Sequence, residues 1–162
     1  ISELPKKEEK PMGMGGGMPI GAFAAPRNMM LTLSENPVLG HITTFGGHPV
    51  NCAAALACLD VILTEKLIDG VPEREQLIRE TITHPAVSEI RGRGLLLAVV
   101  LPDAVFTREV IRRCVEKGVV TDWFLFCDYA LRIAPPLTIT TTQLREACEI
   151  INQVIGEVSV AG

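Results

Sequence analysis

The hydrophobic positions near the end of the chain follow the spacing of a helix with one buried face. Apolar residues recur every three or four positions from Leu144 to Val158, and most residues between them are polar. Thr140 and Gln143 precede this run at the spacing of a capping box, in which two side chains satisfy backbone N–H groups at a helix start. We therefore expect a helix that begins directly after Thr140.

Upstream of this helix, extended segments alternate with helical ones. A helix is predicted from Pro72 to the break at His84. Thr107 is the expected N-cap of a second helix, which ends at Gly118. Strands are predicted over residues 88–91, 95–101, 119–121 and 131–134. This alternation indicates a small α/β domain.

The first part of the chain has a different pattern. A glycine cluster forms a turn into a short buried strand over residues 19–25, and residues 34–49 form a long irregular loop. Pro49 begins a helix that is apolar on nearly every side, so we expect most of its faces to be buried. Residues 13–66 are therefore interpreted as an edge piece of something larger, and residues 1–12 as a tail or connector.

Composition limits the class of protein. The chain has 162 residues, of which 48% are hydrophobic and 21% charged, so we expect a folded domain and not a disordered or collagen-like chain. The net charge of −4, without a basic stripe, argues against a nucleic-acid partner. No apolar run reaches the length of a membrane helix, so we expect no membrane span. Five widely spaced cysteines indicate neither a disulfide framework nor a metal site, which favours the cytoplasm.

Two features of the first part suggest phosphate binding. Successive glycines leave backbone N–H groups free to wrap an anion, but the Gly-Lys-Ser/Thr of a P-loop is absent. Thr43 and Thr44 offer hydroxyl donors just before a helix begins, which suits a phosphate, although an isolated pair of threonines more often caps a turn. The residue patterns alone favour structural roles for both features.

Arg132 occupies a position that requires an anionic partner. It lies in an apolar strand before Pro135 and Pro136, where an unpaired guanidinium is costly to bury. A structural ion pair and a clamp for a ligand carboxylate are equally consistent with this position. His41 and His48 lack a third ligand nearby, so we expect no zinc site, and no spacing indicates a hydrolase triad.

Four segments together resemble a known family. They are GMGGGMPIGAFAAP from residue 13, HITTFGGHPVNCAAALACLDVI from residue 41, IRGRGLLLAVVL from residue 90 and LRIAPPLTIT from residue 131. In this order they resemble the class-III, fold-type I aminotransferases, which use pyridoxal 5'-phosphate (PLP), particularly the ornithine and acetylornithine types. The resemblance spans residues 13–158.

The resemblance implies an α/β fold in which residues 13–66 form the end of the large PLP-binding domain and the interdomain helix, and residues 67–162 the small C-terminal domain. It implies a homodimer with active sites at the subunit interface, and amino-group transfer from an ornithine-like or other ω-amino donor to a 2-oxo acid. By this resemblance Thr44, and less directly Thr43, contacts the cofactor phosphate across the interface. Arg132 matches the family arginine that pairs with a substrate carboxylate, which favours the clamp.

The sequence departs from the family at the lysine that forms the Schiff base with PLP. In the family this lysine directly precedes the glycine run, where this chain has Met12, and Lys10 is two positions too early. Family subunits are also more than twice as long, and their upstream half supplies further cofactor contacts. We therefore expect the chain by itself to be inactive.

Three interpretations remain open. In the first, the chain is the C-terminal part of an aminotransferase, with a cofactor-modified lysine between Met12 and Gly13 that the sequence does not show. In the second, it is a truncated, non-catalytic relative that acts as a binding or dimerisation module. In the third, it is an unrelated nucleotide-binding α/β protein. The four matching segments favour the first. That interpretation predicts exposed apolar surface, and hence self-association, where the upstream half would pack.

Overall fold

A computed structural model of the chain describes residues 14–38 and 42–161. The chain forms two compact units, with the boundary between Lys66 and Leu67. The elements of the first unit are helix α1 (Arg27–Met30), a 3₁₀ turn (Leu31–Leu33) and helix α2 (Pro49–Thr64). Those of the second unit are α3 (Val71–Thr81), β1 (Glu89–Arg93), β2 (Leu96–Val100), α4 (Ala104–Glu116), β3 (Asp122–Phe124), β4 (Cys127–Ile133) and α5 (Thr141–Ala161).

The segment after the glycine cluster is irregular, so the strand predicted over residues 19–25 is wrong. The carbonyl of Gly15 accepts the N–H of Met18 at 3.0 Å in a tight turn, and a Cβ at Gly15 would lie 2.0 Å from the Met18 carbonyl oxygen. The carbonyl of Pro19 then accepts the side-chain amide of Asn51 at 2.8 Å. A side chain thus binds a backbone group that a neighbouring strand would bind in a sheet.

Helix α2 begins at Pro49, as predicted, but its apolar faces are exposed. The Nδ1 atom of His48 accepts the N–H of Val50 at 3.3 Å and caps the helix. All residues of α2 are described and none is buried. Three of its leucines expose more than half of their surface: Leu56, Leu59 and Leu63. The expectation that most faces of this helix are buried is wrong for the chain by itself, because the residues described in the first unit supply no buried cluster for it to pack against.

The second unit is built on a four-stranded antiparallel sheet. The strand order is β1-β2-β4-β3, and every neighbouring pair is antiparallel. Leu97 and Val99 of β2 share one face of the sheet with Leu131 and Ile133 of β4, since side chains two apart on a strand point the same way. On that face they meet buried residues of α3, α4 and α5: Leu77, Ile78, Val110, Cys114, Leu144, Cys148, Ile151, Val154, Ile155 and Val158.

Helix α5 confirms the clearest pattern in the sequence. Leu144, Ile151 and Ile155 are buried, as the helical spacing predicts. The hydroxyl oxygen of Thr140 accepts the N–H of Gln143 at 3.2 Å, and Oε1 of Gln143 accepts the N–H of Thr140 at 3.1 Å. These reciprocal bonds are the predicted capping box, which satisfies backbone donors that the first turn of a helix leaves unpaired.

Two predicted element starts are wrong. Asp103, and not Thr107, caps α4, because its carboxylate accepts the N–H of Phe106 at 2.8 Å. Thr107 is fully buried one turn later and donates its hydroxyl to the carbonyl of Asp103 at 2.8 Å. Residues 119–121 are not a strand; β3 begins at Asp122, which is where the chain pairs with β4.

Helix α3 is tied to the β1–β2 hairpin by one carboxylate and one guanidinium. Glu75 accepts the N–H of Gly94, and Arg79 donates to the carbonyls of Ile90 at 2.7 Å and Gly92 at 3.0 Å. Glu75 and Arg79 also pair with each other at 2.9 Å. The bond from the Gly94 N–H, and then the bond from Arg79, lower the pKa of Glu75 below its usual value. These contacts fix the edge of the sheet against the helix.

Candidate functional site

The threonine-glycine segment before α2 folds into a tight turn. The N–H of Gly46 donates to the carbonyl of Thr43 at 3.1 Å, and a Cβ at Gly46 would lie 2.8 Å from the hydroxyl oxygen of Thr43. Gly47 has a φ of +71°, in the left-handed region that side chains disfavour. The two glycines therefore let the chain turn closely around Thr43 before His48 caps α2.

This turn brings the two predicted threonines together ahead of a helix N-terminus. Thr43 and Thr44 are both exposed, and α2 starts shortly after them. A helix N-terminus carries unpaired N–H groups and a partial positive charge, to which the threonine hydroxyls add further donors. The absence of a side chain at Gly46 keeps the space beside the Thr43 hydroxyl open. Such a group of donors suits a phosphate.

Arg132 lies on β4 directly opposite Asp122 of β3. Its Nη2 atom is 3.4 Å from Oδ2 of Asp122, and the two side chains are 38% and 49% exposed. The backbone carbonyl of Arg132 accepts the hydroxyl of Thr121 at 2.7 Å, which adds to the strand pairing. The structure thus contains an ion pair, but a guanidinium has several N–H donors, and one long contact leaves most of them able to bind a ligand carboxylate.

A cavity of about 270 Å³ lies in the second unit at this end of β4. Arg132 is among its lining residues, but its side chain alternates with those of Leu131 and Ile133 and therefore points to the face of the sheet away from the helices. Most of the remaining wall is apolar and includes Val119, Pro135, Pro136, Ile139, Leu144 and Ile151.

The other candidates have structural roles or lie outside the described residues. His48 caps α2, whereas His41, Lys10 and Met12 are not among the residues that the structure describes. Within residues 14–38 and 42–161, no cluster of three His, Cys, Asp or Glu side chains is placed to hold a metal ion. No helix in that part of the chain has the length and apolarity needed to cross a membrane.

Sequence reasoning missed Asp122. Its charge is opposite to that of Arg132, but only the register of the two strands decides that these residues face each other. The register of the pair shifts between Trp123 and Phe124, because Trp123 pairs with Leu131 whereas Phe124 pairs with Cys127. No local sequence pattern indicates such an irregularity, so the partner of Arg132 emerges only from the structure.

Comparison with models of protein families matches residues 11–155 to aminotransferase class-III. The chain belongs to the class-III aminotransferases. The resemblance noted in four sequence segments is thereby confirmed, and the interpretation as an unrelated nucleotide-binding protein is wrong.

Two curated relatives illustrate how this class-III aminotransferase chain matches its family. It is 33% identical over 153 residues to the acetylornithine aminotransferase of Caldanaerobacter subterraneus subsp. tengcongensis, a match that covers 90% of this chain and 37% of that protein. It is 34% identical over 144 residues to the mitochondrial ornithine aminotransferase of Drosophila melanogaster, covering 87% and 32%. The chain thus spans about a third of the length of these relatives.

A solved structure shows the same relationship. The chain resembles the ornithine aminotransferase of Toxoplasma gondii with a TM-score of 0.78 and 32% identity, over 92% of this chain and 36% of that one. That protein is described with partial occupancy of PLP at its active site. The predicted α/β, fold-type I class is confirmed. The assignment of residues 13–66 and 67–162 to the large and small domains stays a prediction.

Proposed function

We propose that the chain is the C-terminal part of a PLP-dependent transaminase, which moves an amino group from an ornithine-like or other ω-amino donor to a 2-oxo acid. The observation that carries this proposal is the class-III family match over residues 11–155. The names of the relatives, acetylornithine and ornithine aminotransferases, support this class of amino donor.

The described residues fit the phosphate end of PLP. Thr44 is the proposed phosphate contact and Thr43 the weaker one, in a turn where a Cβ at Gly46 would close the space beside a hydroxyl. Hydroxyl and helix N-terminal N–H groups donate hydrogen bonds to phosphate oxygens. When bound, PLP would supply the electron sink that transamination requires. The chain does not fit the aldehyde end, because Met12 offers no amine, and that residue lies outside the described ones.

Arg132 is the proposed binding group for a substrate carboxylate. Its half-exposed guanidinium can form paired N–H···O bonds with a planar carboxylate. Pairing of β4 with Ala98 of β2 and Asp122 of β3 holds its backbone on both sides. Arg132 therefore orients the substrate and neutralises its charge, and it moves no proton.

The proposed enzyme is a cytoplasmic homodimer with active sites at the subunit interface. The exposed apolar surface of α2 supports burial against the upstream part of the protein or a partner subunit. The buried thiols of Cys114 and Cys148 support a reducing compartment. The proposed small-molecule partners are an amino acid and a 2-oxo acid, with neither nucleic acid nor membrane as a partner.

The intact mass of the purified protein tests this proposal. Borohydride is added before denaturation, because reduction makes a bond between a lysine amine and PLP permanent. We expect a mass above that calculated from the 162 residues, either by a lysine and a reduced cofactor or by a whole upstream domain. A mass equal to the calculated one would overturn catalysis by this protein.

Substitution of Thr44 tests the phosphate contact. Thr44→Val should raise the dissociation constant of PLP about tenfold or more, because a hydrogen bond to a charged group is lost. Thr142→Val, at an exposed threonine of α5, is the matched control and should leave that constant unchanged. Equal effects of the two changes would remove Thr44 from the phosphate site.

A second candidate function is that of a non-catalytic binding or dimerisation module. The observation that favours it is Met12 at the position of the family lysine. This candidate predicts the calculated mass, no absorbance from bound PLP, and a stable dimer in light scattering. A monomer of the calculated mass would contradict dimerisation.

A further inference from the structure

The register of the β3–β4 pair builds a carboxylate into the proposed substrate-binding site. Asp122 and Arg132 are direct cross-strand partners. Such partners have Cα atoms only about 5 Å apart, whichever rotamers they adopt. The side chains of Asp122 and Arg132 therefore leave the sheet side by side on the same face, which keeps the carboxylate within reach of the guanidinium.

Asp122 is also held by its own backbone. Its Oδ1 atom accepts the N–H of Trp123 at 2.8 Å, while Oδ2 faces Nη2 of Arg132 at 3.4 Å. Charge-assisted N–H···O bonds are usually about 2.7–2.9 Å long, so the contact to Arg132 is long, and it is made by one oxygen. Asp122 stays beside the guanidinium without forming the bidentate pair that would saturate it.

A helical ion pair of the same unit shows what a saturated carboxylate looks like. Glu109 on α4 binds Arg112 through both of its oxygens, at 2.7 and 2.8 Å, and also binds Arg113 at 2.7 Å. Asp122 and Arg132 are instead joined by one long contact between two partly exposed side chains. The strands that carry them are already joined by backbone hydrogen bonds. The pair is therefore replaceable without loss of the hairpin.

We infer that Asp122 limits the affinity of Arg132 for ligand carboxylates, because an incoming carboxylate either displaces Asp122 or binds next to its negative charge. The inference rests on the proposed role of Arg132 as the carboxylate-binding group. Asp122 is then an affinity-determining residue of this site, which keeps anionic ligands readily released.

Calorimetric titration with glutarate, a dicarboxylate without a reactive carbonyl group, tests the inference on the purified protein. Asp122→Asn removes the charge and keeps an oxygen for the N–H of Trp123. We expect it to lower the dissociation constant of glutarate about two- to fivefold, the range that an exposed ion pair provides. Asp128→Asn is the matched control, since the carboxylate of Asp128 faces Arg108 at 3.9 Å, and it should leave the constant unchanged.

Arg132→Gln distinguishes failure of the inference from failure of the proposed function. If the wild-type protein does not bind glutarate, or binds it no more tightly than Arg132→Gln does, then Arg132 is not the carboxylate-binding group. In that case both the proposed function of Arg132 and the inference about Asp122 are wrong. If Arg132→Gln weakens binding of glutarate, the role of Arg132 stands. If, in addition, Asp122→Asn has the same dissociation constant as Asp128→Asn or a higher one, only the inference about Asp122 is wrong. In support, Asp122→Asn should have no effect in the Arg132→Gln background. Asp122→Ser, with the same expected direction, replaces Asp122→Asn if the latter does not fold.

Discussion

Helix α2 of the first unit and helix α5 of the second are both rich in apolar residues, yet only α5 buries them. Leu144 and Ile155 of α5 are 2% and 0% exposed, whereas no residue of α2 is buried. The apolar residues of α5 form one stripe, which the core of its own unit covers. Those of α2 surround the helix. One packed layer is enough to bury an apolar stripe, whereas a helix that is apolar all round needs packing partners on several sides to bury its side chains.

Thiol reactivity should give the largest contrast between these regions. Burial raises the pKa values of Cys114 and Cys148 to about 11, against an ordinary 9.0, which lowers their thiolate fraction about 100-fold. Cys52 of α2 is exposed. At a concentration where the native 162-residue chain is monomeric, we expect DTNB to label Cys52, and the two buried thiols only after unfolding, as measured by mapping the labelled peptides. Protection of Cys52 would break the comparison, because it would mean that α2 is covered.

Matched leucine substitutions should give the next largest contrast. Leu144→Ala removes a buried side chain of α5 and should lower the free energy of unfolding by about 2–5 kcal/mol. Leu63→Ala, at a leucine of α2 that is 62% exposed, should change it by less than about 0.5 kcal/mol. Urea denaturation followed by circular dichroism measures both. A large effect of Leu63→Ala would show that α2 is packed in the native protein.

The capping box sharpens the comparison at the start of α5. Thr140→Ala removes the side-chain acceptor for the N–H of Gln143 and should lower the free energy of unfolding by about 1 kcal/mol. Thr142→Ala, at an exposed threonine inside the first turn, is the control and should have a smaller effect. Thermal denaturation of the two variants checks the difference. Equal losses would mean that the cap does not contribute.

The smallest expected effect concerns surface charge in the second unit. Bonds from Arg112 and then Arg113 lower the pKa of Glu109 from 4.5 to about 2. A lowered carboxyl pKa stabilises the folded state above pH 4.5, and this contribution is lost as the pH falls towards 2. Glu109→Gln should therefore be less stable than wild type at pH 6, and the gap should narrow between pH 4.5 and 2 in denaturant titrations.

Glu146→Gln is the control for that titration, because Glu146 lies on α5 without an ion pair to any residue that the structure describes. Its stability should follow that of wild type across the same pH range. A gap for Glu109→Gln that stays constant with pH would mean that the ion pairs of α4 do not stabilise the fold.

Local patterns predicted α5, its capping box and the start of α2, because each is decided by neighbouring residues. The start of α4 was wrong since two oxygen-bearing side chains, Asp103 and Thr107, competed for the cap, and the structure favours Asp103. The start of β3 was wrong because strand pairing sets it, and pairing joins distant residues. For the same reason Arg132 could be selected from sequence, whereas its partner Asp122 could not.

The strand order β1-β2-β4-β3 also bears on how the second unit folds. The β1–β2 and β3–β4 pairs are hairpins that close short loops, whereas the β2–β4 pair joins Leu97 to Ile133 across the whole of α4. Longer loops lose more entropy on closure, and non-local pairing slows folding. We therefore expect the two hairpins to form early and their union through α4 to limit the rate, so that substitutions at the β2–β4 seam slow folding more than those at either hairpin.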